Sequence, residues 1–303
     1  MQISDDTESM PTEQARREFV SRQMWNHGLD LARSVNADAV LFYADALHDT
    51  TALQEFPEAM KLVVAVRDGS EELNEDADYL CVRVPALPFA RMDQVRVAVL
   101  LSVSKGFLEP GESVVCLSGA MNPPSFDTVV VTEVGQEMEV FSRPDTDTLP
   151  QDVRPAVFDK ALELATQMAY EGREGKPVGA IFVLGDSEEV ANYTKQLILN
   201  PFRGYDPDER NILDPRLSET IKELCSLDGA FIIAGNGEVV SGGTYLRAGA
   251  TEEELPGGLG ARHAAAAGIS ASTNAVVITT SESTGTVRVF KSGKILTEIK
   301  KLS

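Results

Sequence analysis

The sequence predicts an α/β protein in two domains, an N-terminal α/β sandwich and a C-terminal mixed-sheet α/β domain. Three observations carry this expectation. Short apolar runs suited to buried strands alternate with helical spacing through the first 134 residues. A polar stretch, "GQEMEVFSRPDTDTLPQDVRP", holds three prolines and breaks the pattern between Gly135 and Pro155. Beyond it, strands return in pairs separated by tight-turn residues, which suits a mixed sheet rather than a parallel one.

In chain order, residues 12–35 carry a helical pattern. "DAVLFY" (38–43), "KLVVAV" (61–66) and "YLCVRVP" (79–85) read as buried strands. "FARMDQVRVAVLLSVSKG" (89–106) returns to helical spacing and stops at a glycine. "SVVCLSG" (113–119) and "TVVVTEV" (128–134) are strands with a Pro-containing loop expected between them. Strands alternating with helices argue for a largely parallel sheet over 1–140, with 141–155 as linker and 156–303 as the second domain. That domain opens with a helix at about 156–171, with Phe158, Leu162, Ala165 and Met168 on one face. "GAIFVLG" (179–185) is a strand. "DSEEVANYTKQLIL" reads as a helix capped by Asp186 or Ser187, with acidic residues in its first turn. "NPFRGY" (200–205) is a loop, and "RLSETIKELCSL" (216–227) is amphipathic through Leu217, Ile221 and Leu224. Asn236-Gly237 marks a hairpin. "AVVITT" (275–280), "TVRVF" (286–290) and "ILTEI" are further strands.

Composition narrows the function. A formal net charge of −20 leaves no basic footprint for duplex nucleic acid, so a phosphate site has to be built locally from Arg and backbone N–H groups. No apolar run approaches the length of about 18 residues that a membrane span requires. The acidic N-terminus, "MQISDDTESMPTEQARREF", does not read as a secretory signal. Cys81, Cys116 and Cys225 lie far apart in apolar segments and read as reduced and buried, which fits the cytoplasm. Trp25 is the only tryptophan, and its helical setting suits a core or interface.

Three clusters in the second domain share a theme. In "LPGGLGARHAAAAG" a Gly-rich turn leads into an alanine run, so a helix should begin near Gly260 or Ala261, with Arg262 and His263 in its first turn. Free N–H groups and the positive end of the helix dipole make such a turn an anion site. The plainer reading is an alanine helix with a solvated Arg and His at its end. Asp228-Gly229-Ala230 sets a carboxylate beside two small residues that let a ligand approach the backbone; the plainer reading is a turn. "SESTG", Ser281 to Gly285, offers hydroxyls and Glu282 to a ligand or divalent cation, or is merely a polar turn. No Cys/His spacing suits zinc, and "GNGEVVSGG" lacks the ending of a P-loop.

In this order and at these spacings, the three clusters resemble the diadenylate cyclase domain. The carrying residues are Asp228-Gly229-Ala230, Leu259-Gly260-Ala261-Arg262-His263 and Ser281-Glu282-Ser283-Thr284-Gly285, together with "GREGKPVGAIFVLGD" and "NPFRGYDPDERN". The likeness covers roughly 156–303. The first domain, through "GFLEPGESVVCLSG" and its strand–helix alternation, resembles the C-terminal α/β domain of pyruvate kinase, a domain that binds regulators and joins subunits. The pairing looks like the archaeal type of diadenylate cyclase.

The resemblance implies condensation of two ATP molecules into cyclic di-AMP, with release of two pyrophosphates and with Mg²⁺ or Mn²⁺. It assigns Asp228, Arg262 and His263 to catalysis and Asp228 and Glu282 to the metal. ATP contacts fall to Gly229, Ala230, Leu246, Gly260, Ala261, Arg262, His263, Ser281 and Glu282, with the "GGTYL" segment holding adenine. One domain binds one ATP, so two must self-associate face to face, and the first domain either assembles these units or binds a small-molecule regulator. Two departures stand out. Many bacterial members carry a second arginine where this chain has Ala264, and a second Glu where it has Ser283. They leave open an alternative, a catalytically weak regulator that senses ATP or cyclic di-AMP.

Overall fold

The computed structural model describes residues 13–47, 56, 60–67, 79–135, 149–172, 175–247 and 260–300. The acidic N-terminal residues, most of the expected linker and the glycine-rich turn that includes Leu259 lie outside them.

Helix α1 (Glu13–Ser34) is followed by strands β1 (Ala39–Tyr43), β2 (Lys61–Arg67) and β3 (Leu80–Val84). Helix α2 (Arg91–Ser104) and strands β4 (Ser113–Met121) and β5 (Pro124–Glu133) complete the first unit. Its sheet has the order β3-β2-β1-β4-β5, with only β5 antiparallel. All five residues of β1 are buried, as a strand covered by helices on both faces requires. Trp25 belongs to the core, edge-on to Phe42 at 4.9 Å and stacked on Phe126 at 6.2 Å. The expected loop between β4 and β5 is a tight hairpin instead: pairing runs on to Met121 and Pro124, so Asn122 and Pro123 alone make the turn. Pro124 fits there because it ends the ladder of an edge strand. Cys81 is exposed, contrary to expectation, because β3 is also an edge strand; Cys116 and Cys225 are buried thiols.

The second unit comprises α3 (Pro155–Tyr170), β6 (Ile181–Leu184), α4 (Ser187–Asn192), β7 (Thr194–Gln196), α5 (Pro215–Leu224), β8 (Ala230–Ile233), β9 (Val239–Leu246), α6 (Ala261–Ser272), β10 (Val276–Thr280), β11 (Val287–Lys291) and β12 (Lys294–Ile299). The seven strands run β12-β11-β10-β6-β8-β9-β7, mixed as expected. The helix expected over "DSEEVANYTKQLIL" stops at Asn192, and Thr194–Gln196 instead pair with β9 as an edge strand. Asp186 does not cap it by side chain; its carboxylate accepts from the Asn274 N–H at 2.8 Å.

Helix α3 covers one face of this sheet, with Phe158, Ala161, Leu162 and Ala165 fully buried, while the alanines of α6 lie on the other. Small side chains let α6 approach β10 and β11 closely. The two units share an apolar core through α2, whose residues are buried on nearly every side. Ser104 donates to Asp159 at 3.1 Å, and Phe89 packs edge-on to Tyr170 with centroids 5.6 Å apart. Asp93, on α2, receives Arg96 at 2.9 Å and the Lys300 N–H, at the end of β12, at 3.4 Å. Burial pushes its carboxyl up from the usual carboxylate range, opposed by Arg96 and Lys300. Among the described residues no helix is long and apolar enough to cross a membrane.

Asp93→Ala removes the acceptor that Arg96 and the Lys300 N–H share at this junction and should lower stability by about 1–3 kcal/mol in urea denaturation. A loss below about 0.5 kcal/mol would make the contact incidental.

Candidate active site

Topology, rather than sequence proximity, assembles the site. Strands β6 and β8 are parallel, and β10 runs antiparallel to β6. The start of β6, the start of β8 and the end of β10 therefore share one edge of the sheet. Gly179 precedes β6, Asp228 precedes β8 and Glu282 follows β10. The N-terminus of α6 lies against this edge with Gly260 at the N-cap, extended at φ −77° and without a side-chain cap. Gly260 itself offers no side chain to receive the first N–H groups of the helix.

Arg262 is the centre of the arrangement. It donates to Glu282 Oε2 at 2.9 Å and to Asp228 Oδ1 at 3.3 Å, joining motifs 54 residues apart in sequence. The Asp228 and Glu282 side chains are 88% and 68% exposed, so both carboxylates face solvent at the mouth of the site. The guanidinium lies on Gly179, where an added Cβ would sit 2.8 Å from Cζ. Gly179 is thus a site residue that the motif reading missed; a glycine ahead of a strand gives little signal by itself.

Gly229 explains the small residues after Asp228. Its φ is +116°, and a Cβ there would lie 2.5 Å from the backbone of Gly243 and Thr244. Gly242 and Gly243 in turn make room for Phe202 and Ile198. The register between β8 and β9 slips between Ala230 and Ile232, opposite Gly242 and Gly243, and again between Ile232 and Ile233. Ala230 and Leu246 are buried in the cluster beneath α6. Ser281 is buried in the turn after β10; its backbone N–H donates to Thr286 and its hydroxyl lies 3.2 Å from the Ser283 hydroxyl. Ala261 and Ala264 are both exposed on the first turn of α6.

The structure separates His263 from Arg262. His263 is 6% exposed and turns inward, its Nε2 3.0 Å from Arg288 Nη1 and its ring 6.3 Å from that of Phe290. Arg288 is held by Glu298, with Nε 2.5 Å from Oε2. The solvated Arg-His end of the plainer reading is therefore not what forms. Arg288 and Glu298 were also missed, although their signal was present: opposite charges alternate with apolar residues in "TVRVF" and "ILTEI", and they pair across the hairpin. Burial first, then Arg288, push the His263 imidazole down to about 4; Glu298 opposes them, and Arg262 adds the smallest push downward. Among the described residues no group of three His, Cys, Asp or Glu could hold a metal ion alone.

A neutral buried histidine has a pH signature. The unfolded chain takes a proton near pH 6.5 while folded His263 does not, so stability falls as pH drops through 6.5 toward 4. Between pH 7 and 5.5 the loss should be about 1 kcal/mol greater in the wild type than in His263→Gln. Equal losses in urea titrations would place His263 in water.

Residues 167–295 match the family described as "DisA bacterial checkpoint controller nucleotide-binding", and residues 21–141 match that described as "Probable sensor domain DacZ_P". The chain is 33% identical over 308 residues to a diadenylate cyclase from Methanocaldococcus jannaschii, covering 92% of this chain and 96% of that one. It is 34% identical over 212 residues to a diadenylate cyclase from Haloferax volcanii, covering 68% of this chain and 75% of that one. Among solved structures, a pyruvate kinase from Cryptosporidium parvum aligns at 10% identity over 38% of this chain and 23% of its own, with a TM-score of 0.30. Similarity at this identity over 92% and 68% of its length places the chain in the diadenylate cyclase family.

Proposed function

We propose that the site condenses two ATP molecules into cyclic di-AMP across two facing copies of the second unit, 156–303. The observation that carries the reading is the Arg262 bridge between two exposed carboxylates at a helix N-terminus, on a chain of this family. Each 3′-hydroxyl attacks the α-phosphorus of the other nucleotide. One P–O bond forms as the bond to pyrophosphate breaks, twice per product, and two pyrophosphates leave. Positioning and charge stabilisation supply most of the acceleration in such transfers.

In this reading Asp228 orients the attacking hydroxyl and takes its proton. Arg262, the N–H groups near Gly260 and Ala261, and Ser281 hold phosphate oxygens. Gly229 and Ala230 let the nucleotide approach β8, and Leu246 with the rest of "GGTYL" lines the adenine side. The donor set also fits a divalent cation. Asp228 and Glu282 are hard oxygen ligands, and one guanidinium cannot balance two carboxylates and a triphosphate. Mg²⁺ or Mn²⁺ held by these two carboxylates and by the phosphates would neutralise that charge.

Exposure supports the facing arrangement. Leu199 is 95% exposed, and Leu227 and Tyr245 are half-exposed. Leu227 adjoins Asp228, and the same strand-edge loop brings Ile198 onto Gly243. Exposed apolar side chains on this unit, one of them next to Asp228 in sequence, suit a two-fold contact that completes the site. We assign 1–140 to regulation by a small molecule or to assembly, with 141–155 as linker, and place the reaction in the cytoplasm, where free thiols persist.

Incubation with ATP and Mg²⁺ or Mn²⁺, followed by mass analysis, tests the reading. The wild type should yield cyclic di-AMP, and Asp228→Asn should yield none while still binding ATP. Activity per chain should fall on dilution below the dimer dissociation constant. Folded protein that binds ATP without turnover would favour the nucleotide-sensing alternative, with the exposed Ala264 and Ser283 as the positions to restore.

A further inference from the structure

We propose that Arg288, itself held by Glu298, is a positioning residue that fixes His263 as the tautomer with its proton on Nδ1, so that the imidazole serves the phosphate site only as a hydrogen-bond donor. The inference rests on the phosphate role of the α6 N-terminus given above.

Arginine carries five donors and no acceptor. The 3.0 Å contact between Arg288 Nη1 and His263 Nε2 therefore occupies the Nε2 lone pair. A neutral imidazole has one N–H, and here it must be Nδ1–H. Rotation of Arg288 away is opposed by Glu298. Its Nε is bonded to Glu298, and the two residues face each other in the register of β11 and β12. Arg288 and Glu298 side chains are only 13% and 12% exposed, so water does not readily compete.

The other ring nitrogen is left unmet. Among the described residues Nδ1 is buried and has no hydrogen-bond partner, although His263 sits in the first turn of α6 beside Arg262. An unsatisfied buried donor is costly, and where one persists in a native fold a catalytic role or a bound group can account for it. At a helix N-terminus flanked by Arg262 and Arg288, that group is an anion, and in this site it is a phosphate oxygen of the nucleotide. A neutral imidazole donating from a helix N-terminus is an established way to stabilise developing negative charge. The same geometry denies His263 two other roles: Nε2 can neither accept a proton from the 3′-hydroxyl nor ligate a cation while Arg288 occupies it.

The chain has three histidines, which makes the tautomer directly measurable. In ¹⁵N-histidine-labelled protein at pH 7, long-range ¹H–¹⁵N correlations should show a protonated Nδ1 and an unprotonated Nε2 for the ring whose signals vanish in His263→Gln. A protonated Nε2 in the wild type would overturn the proposal. Arg288→Met should move these signals toward a mixture of tautomers, and Arg288→Lys, which keeps a donor-only cation, should retain the wild-type pattern. An unchanged pattern in folded Arg288→Met would remove Arg288 from the role.

Addition of ATP with Mg²⁺ to Asp228→Asn should shift the Nδ1 resonance; no shift at saturation would separate His263 from the phosphates and overturn its role as donor. In turnover, Arg288→Met should lose about tenfold in kcat/KM, mostly regained in Arg288→Lys. Unaltered kcat/KM with an altered tautomer would likewise overturn it. A wild type that binds ATP yet makes no cyclic di-AMP would defeat the proposed reaction alone, since the resonance measurements would still decide the place of Arg288.

Discussion

A single guanidinium, that of Arg262, ties together three segments that the chain delivers from different directions, and the rest of the candidate site is arranged to keep it there. Asp228 and Glu282 hold it from two strand ends, and Gly179 leaves room beneath it. Both carboxylates are well exposed, so these ion pairs add little stability in water. Their importance is positional. A salt bridge of small net worth is easily exchanged for triphosphate oxygens and a divalent cation, which a buried pair would resist.

Behind this exchangeable front stands a fixed back. Glu298, Arg288 and His263 form a nearly buried chain from the β11–β12 hairpin to the first turn of α6. Low exposure makes those contacts hard to replace with water, so the orientation of α6 relative to the sheet is set by them and by the packing of Ala266, Ala267 and Ile269. Beyond Glu298, the Lys300 N–H at the end of β12 meets Asp93 on α2. Helix α2 is thus a wall of the first unit and a support of the second, and the strand bearing Glu298 ends on it. The site and the first unit share a continuous packed structure rather than a mere tether.

Much of the fold was legible because local rules and tertiary need agree. Runs such as "AVLFY" and "VVITT" are strands because continuous apolar β-branched sequence buried on both faces suits nothing else so short. The stop at Asn192 was not legible. "DSEEVANYTKQLIL" has ordinary helical spacing, and only the unpaired edge of β9 draws Thr194–Gln196 into strand. Exposure of Cys81 and the tight β4–β5 hairpin were decided in the same way, by which strands end a sheet.

The sequence alone determined the α/β class, the mixed second sheet and a helix starting near Gly260 or Ala261. Such features depend on periodicity, turn chemistry and charge type, which are local properties of the chain. Only the tertiary structure decided that Arg262 faces Asp228 and Glu282 while its neighbour His263 faces Arg288. Adjacent residues on a helix point about 100° apart, so one turn can serve both a solvent-facing site and a buried clamp. Which partner each receives depends on strand order and register, and these are fixed by burial of the whole sheet rather than by any motif.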